Sequence, residues 1–113
     1  TTYPEINCFV TQSDEQAAGI INAIKAKGEP VEDFIIVSID CSTTGQSYLK
    51  SGELDATVLM AMRQLAVSSA DYVEAALNGE TAEKTNQVEG YYQLVTPDTY
   101  VSVMEANGMT AEE

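Results

Sequence analysis

The sequence predicts an α/β fold of three layers, a mostly parallel sheet with helices on both faces. Three observations carry that expectation. Stretches that read as strands alternate with stretches that read as helices along the whole chain, and this alternation implies a parallel sheet. The strongest strand, FIIVSI at 34–39, is apolar almost throughout, as suits a strand covered on both faces. The helical stretches repeat apolar residues on a 3.6-residue period and close on glycines.

The elements follow in order. Residues 6–12 read as a strand. Residues 14–27 read as a helix, with Ala17, Ile20, Ile21 and Ile24 on one apolar face. Ser13 is placed to cap it, with Gln16 three residues on at capping-box spacing, and Gly28 is placed to end it. After the strand at 34–39 comes a loop of small polar residues, Cys41 to Gly45, then a short helix at 45–51 closed by Gly52. DATVLM at 55–60 reads as a third strand. A longer helix at 62–78 carries the stripe Met62, Leu65, Ala66, Ser69, Tyr72, Val73, Ala76 and Leu77. The polar stretch 79–89 reads as a surface loop and 90–95 as a fourth strand. Thr96-Pro97 opens the last helix, with Pro at its first position, and Gly108 ends it. The tail 109–113 is expected to fray. No repeat, low-complexity segment or interdomain linker interrupts residues 1–113, which read as a single domain.

Composition narrows the chemistry. The chain has 113 residues, 44% of them hydrophobic, enough for a core. Eighteen acids against five bases give a net charge of −13, which disfavours nucleic acid and anionic membranes as partners. No apolar run approaches the ~18 residues of a membrane helix. TTYPEINCFV lacks the basic and apolar regions of a signal peptide. There is no histidine, so the commonest general base and metal ligand are missing. Cys8 and Cys41 alone cannot make a zinc site. With Gln12 level with Asp40 in a parallel register, they lie ~13 Å apart along the strands and stay free thiols. Neither phosphate-loop pattern occurs, and the acids lack calcium-loop spacing. Met60, Met62 and Met104 read as core fillers, and Tyr91 and Tyr92 as strand packing. No catalytic residue, metal site or cofactor is expected, and the chain does not read as an enzyme.

In open parallel sheets ligands bind beyond the carboxyl ends of the strands. The residues there are Gln12, Ser13 and Asp14, then Asp40, then Met60. Ser13 doubles as a helix cap, and Asp14 suits the positive end of the helix dipole. Asp40 follows an apolar strand directly and must reach water, a loop amide or a ligand. A carboxylate there can accept two hydroxyl hydrogen bonds from a sugar. Gln12, Ser13, Asp40 and Met60 are the candidate ligand-binding residues.

These residues carry a resemblance. YPEINCFVTQSDEQAAGIINAIKAKG is similar to a signature of the periplasmic sugar-binding proteins of the ribose-binding type, in which a proline lead-in and a strand precede a Q-N-D-E-M-A-x-G helix start. DFIIVSIDCSTTGQSYLKSGELDATVLM resembles the next strand, ending in G-x-D-G, then a short helix and an I-x-x-G-x-L-x-A-T-V turn. GYYQLVTPDTY is similar to the closing strand. The match spans about residues 3–101. It implies a partial type I periplasmic-binding-protein fold, the C-terminal portion of a two-lobed protein that closes on a small sugar. The family's Asn becomes Ser13, its Asp is kept as Asp40, and its Gln becomes Met60. This pattern departs from a standard sugar site and admits a related metabolite.

The resemblance also implies that the chain crosses to the other lobe near Met60 to Met62 and that 62–90 packs there. In isolation helix 62–78 is expected to repack on the sheet or on a second copy, as a homodimer. The implied partners are the N-terminal lobe of the same protein and an ABC permease. The implied location is periplasmic or extracellular, with a lipoprotein anchor as one form. The alternatives are the effector domain of a lactose-repressor-type regulator and a sensor module for a signalling partner. SGELDATV resembles the exported proteins more than the Pro-Leu-Thr-Thr-Val of the regulators.

Overall fold

The computed structural model describes residues 3–80 and 90–111. Its elements are β1 (Cys8–Val10), α1 (Asp14–Ala26), a 3₁₀ turn (Val31–Asp33), β2 (Ile35–Asp40), α2 (Thr43–Ser51), β3 (Ala56–Met60), α3 (Met62–Leu77), β4 (Tyr92–Val95) and α4 (Tyr100–Ala106). The sheet order is β1-β2-β3-β4. β1, β2 and β3 run parallel, and β4 returns antiparallel to β3. An α/β fold with a mostly parallel sheet is therefore present.

The expected second helical layer is not seen among the described residues. Ile36, Ser38, Thr57, Leu59 and Val95 are buried, and the strand registers place them on one face. α1, α2 and α4 share that face: Ala17, Ile21, Leu49, Tyr100 and Met104 join Ile36, Leu59 and Val95 in one core cluster. The opposite face shows Val10, Ile35, Tyr92 and Leu94 to solvent, with Val10 80% exposed. The molecule is accordingly thin, 61 × 35 × 17 Å. The apolar run of β2 suits two covered faces, and only one is covered by described elements.

Local chemistry sets the element ends. Ser13 caps α1 by accepting from Gln16 N at 3.4 Å, and the Gln16 side chain accepts from Gln12 N at 3.1 Å. Ser42 caps α2 by accepting from Gly45 N at 3.3 Å, so this helix begins two residues before the expected 45. Gly52 ends it at φ 74°, a conformation that glycine adopts without a Cβ clash. The Asp55 carboxylate accepts from Ile36 N at 2.7 Å while Asp55 N donates to Ile36 O at 3.0 Å, which fixes the entry of β3 beside β2. Lys25 of α1 pairs with Glu53 beyond α2 and lies 5.7 Å from the Tyr48 ring centroid. Tyr100 of α4 donates to Gln46 of α2 at 3.0 Å.

Other expectations need correction. Pro97 is not the first helical residue. Thr99 Oγ1 accepts from Thr96 N at 2.9 Å, and this turn holds 96–99 before α4 starts. The tail is pinned as far as 111, because Met109 N donates to Met104 O and Ala111 packs on the core. The polar stretch 81–89 and residues 112–113 lie outside the described residues. Met104 is a core filler and Met60 is half-buried, but Met62 is 56% exposed.

Helix α3 departs most from expectation. It has no buried residue. Leu65, Val67, Tyr72, Val73 and Leu77 are all exposed, so within one chain the helix does not repack on the sheet. Its projection explains a radius of gyration of 18.0 Å, against ~13 Å for a compact chain of this length.

Candidate functional site

Ser38 and Thr57 are polar residues in the middle of apolar strands, directly opposite one another in the β2–β3 register. Both are buried and need partners. Asp14 supplies one partner for both. It opens α1, is fully buried, and its Oδ1 accepts from Ser38 Oγ and from Thr57 Oγ1, the latter at 2.8 Å. Its Oδ2 accepts from Ser42 N at 2.6 Å. Thr57 Oγ1 in turn accepts from Cys41 N at 3.2 Å. One carboxylate thus ties the start of α1, two central strands and the loop before α2. Gly45 is the matching space, since a Cβ there would overlap the Asp14 carboxylate. The helix-dipole role expected for Asp14 is the smaller part of what it does.

This knot lies under the carboxyl edge of the parallel strands. Asp40 and Cys41 follow each other there with φ of 114° and 53°, the only positive values on non-glycine residues among those described. Such a conformation is held by its surroundings, and strained positions of this kind concentrate at functional sites. The surroundings are the Asp14–Ser42 and Thr57–Cys41 bonds and the Gln46 Nε2 bond to Cys41 O at 2.9 Å. No donor pairs with the Asp40 carboxylate among the described residues. Burial raises its pKa, with repulsion from Asp14 and Glu15 adding to the shift. Cys41 is buried, and burial together with Asp14 lifts its thiol to about 11, so it stays protonated and unreactive.

The candidate residues all reach this edge. Asp40 pairs with Leu59, which places Met60 one step beyond it. Cys8 pairs with Ile35, so continuing the register sets Ser13, not Gln12, level with Asp40. This is a one-residue correction to the expected alignment. Ser42 Oγ donates to Glu15 at 3.2 Å and closes the α1 and α2 starts together. Gln12 is exposed, while Ser13, Asp40 and Met60 are half-buried. Tyr91 sits beside Met60, with its hydroxyl 4.0 Å from that sulfur and 3.4 Å from the sulfur of Met62, and it meets Tyr92 edge-on at 4.6 Å. Cys8 is exposed, and both cysteines are free. No cluster able to hold a metal ion occurs among the described residues. The edge therefore offers one strained acidic acceptor, polar neighbours on α1 and an apolar flank at Met60. Among the described residues it carries no nucleophile–base pair.

A model of the periplasmic binding protein domain matches residues 1–81. The chain belongs to that family. A ribose import binding protein of Salmonella typhimurium is 26% identical to this domain over 89 residues, 79% of the chain. The chain spans 29% of that relative's length. An ABC transporter solute binding protein of Bacillus halodurans, solved with bound myo-inositol, shares the fold at a TM-score of 0.75 and 32% identity, over 94% of this chain and 35% of that one. The binding component of an arabinose ABC transporter from a Shewanella species matches at a TM-score of 0.72 and 26% identity, over 88% of this chain and 33% of that one. The three relatives named here are binding components of import systems.

Asp14→Ala leaves two hydroxyls and an amide unpaired and is expected to cost about 3 kcal/mol or more in urea unfolding. Gly45→Ala should cost about 1–3 kcal/mol alone. In the Asp14→Ala background the same change should be neutral or gain up to ~1 kcal/mol from helix propensity, so additive costs would show that the two do not touch. For Asp40, the folded carboxyl titrates above its unfolded value. Its ionised form therefore weakens the fold at neutral pH, and protonation removes that penalty as pH falls. Asp40→Asn should raise the melting temperature at pH 7 without ligand, with the gain shrinking below about pH 4. A gain that ignores pH would trace to the backbone conformation alone.

Proposed function

We propose that this domain is the C-terminal portion of a two-lobed extracytoplasmic solute-binding protein that closes on a small sugar or cyclic polyol for ABC-type import. The observation that carries the reading is the Asp40 carboxylate. It is unpartnered among the described residues and held in a strained backbone at the ligand-binding edge of an open α/β sheet. An acceptor that costs stability and gains no internal bond is suited to hydroxyl donors from outside. Ser13 and Gln12 are the polar neighbours for the same ligand. Met60, flanked by Tyr91, would meet an apolar patch of the sugar ring. The ribose, myo-inositol and arabinose in the names of the matched proteins belong to this ligand class.

The same reading accounts for the uncovered surfaces. α3, with its exposed Leu65, Tyr72, Val73 and Leu77, would pack on the other lobe after the chain crosses at Met60 to Met62. The open sheet face would be covered by the rest of the protein. Lobe closure around the ligand would then present the closed form to a permease. A periplasmic or extracellular site of action, with or without a lipoprotein anchor, goes with this role.

The test is isothermal titration of ribose, arabinose, glucose and myo-inositol into the full-length parent, beside its Asp40→Ala variant. Micromolar binding of one ligand is expected, weakened about a hundredfold in the variant. No heat from a folded parent would refute the sugar reading, and equal binding by the variant would remove Asp40 from the site.

A further inference from the structure

Apolar packing does not hold α3 to the sheet, so something else must set its direction. The candidates are the contacts of its first turn. Ala61 N donates to Tyr91 O at 2.8 Å. The Tyr91 hydroxyl lies 3.4 Å from the Met62 sulfur, and Gln64 Nε2, in the same first turn, donates to Asn107 Oδ1 at 3.1 Å. Asn107 is the C-terminal cap of α4 and is 9% exposed. It also exchanges two bonds with Gln93 of β4, accepting from Nε2 at 3.2 Å and donating to Oε1 at 3.1 Å. Its remaining donor reaches Val103 O at 2.8 Å. Both its donors and both its acceptor positions are filled. Gln93 Nε2 donates as well to Gly90 O at 2.9 Å. Beyond this point α3 and α4 part, leaving a notch of about 440 Å³ lined by Arg63, Gln64, Val67, Asp71, Asn107 and Gly108.

We propose that the Gln64–Asn107–Gln93 side-chain amides form a clamp that sets the angle of α3 relative to the sheet. The three side chains come from the outgoing helix, the returning strand and the last helix, so they join both passages of the chain at one buried amide. Gln93 and Val103 are enough to hold Asn107 as a cap of α4. The bond from Gln64 adds nothing to that cap, and its consequence is to tie α3. A clamp of amide hydrogen bonds can exchange with water at small net cost, whereas an apolar seam resists opening. It therefore suits an element that changes angle. Resting on the reading that α3 reaches the second lobe, the clamp becomes a positioning device that biases lobe opening against closure.

The test uses the full-length parent with Cys8→Ser. Spin labels are placed at Glu74→Cys on α3 and Glu32→Cys on the 3₁₀ turn, both exposed. The distance between them is measured with and without Gln64→Ala. Because Gln64 is exposed, the variant should keep the parent's melting temperature. A broadened or displaced distance distribution is expected in Gln64→Ala, and also in Gln64→Glu, which cannot donate to Asn107. Where a sugar binds the parent, its Kd should change about fivefold in the same variants. An unchanged distance distribution would overturn the clamp. Failure of the parent to bind any sugar would leave the distance result standing and would count against the binding role alone.

Discussion

The arrangement of this domain depends on one buried carboxylate. Asp14 takes hydroxyl donors from two central strands and an amide from the loop before α2. A buried carboxylate is costly unless it is hydrogen-bonded, and here it takes three donors that would each lose an acceptor without it. The cost and the need cancel at one point. Four separate chain segments become fixed relative to each other there, with Gly45 leaving the required room. The strained pair Asp40–Cys41 follows from this knot, since the amides on either side of its turn are spoken for by Thr57 and Asp14.

Apolar burial is distributed unevenly around that point. One sheet face is sealed by α1, α2 and α4, while Val10, Ile35, Tyr92 and Leu94 stay open on the other. α3 carries a further row of exposed apolar residues and is held by polar contacts at its base. The covered side gives the carboxyl edge of the strands its rigidity. Under the proposed two-lobed reading the uncovered side meets the rest of a longer protein; the chain spans 29% of the curated relative named above.

Much of this was legible in the sequence. Strand–helix alternation yields the parallel sheet because each amphipathic helix must return over it, and Ser13, Gly28 and Gly52 mark helix ends through their own capping chemistry. The single covered face was not legible, because an apolar strand such as β2 reads the same whether its second face is covered by this stretch of chain or by another. A register that sets Gln12 level with Asp40 misses by one residue, since periodicity fixes which face a residue takes but not its partner. The role of Asp14 is hidden in the sequence because a first-turn acid has a sufficient local explanation in the helix dipole. The signal that reveals it is nonlocal: Ser38 and Thr57, each polar within an apolar strand, both require a buried partner. Asn107 carries no such signal, because a residue before Gly108 reads simply as the end of a helix.

Hydrogen exchange at the Ser42 amide is the most direct test of the claim that Asp14 orders the carboxyl edge of the parallel strands. That amide donates to Asp14 Oδ2 and has no strand ladder to protect it. Comparison of the native chain with Asp14→Asn should show Ser42 and Cys41 losing protection together, while Ile36, within β2, keeps its own. Unchanged protection at Ser42 in the variant would mean that the loop is held without Asp14, and the account of the site would be wrong.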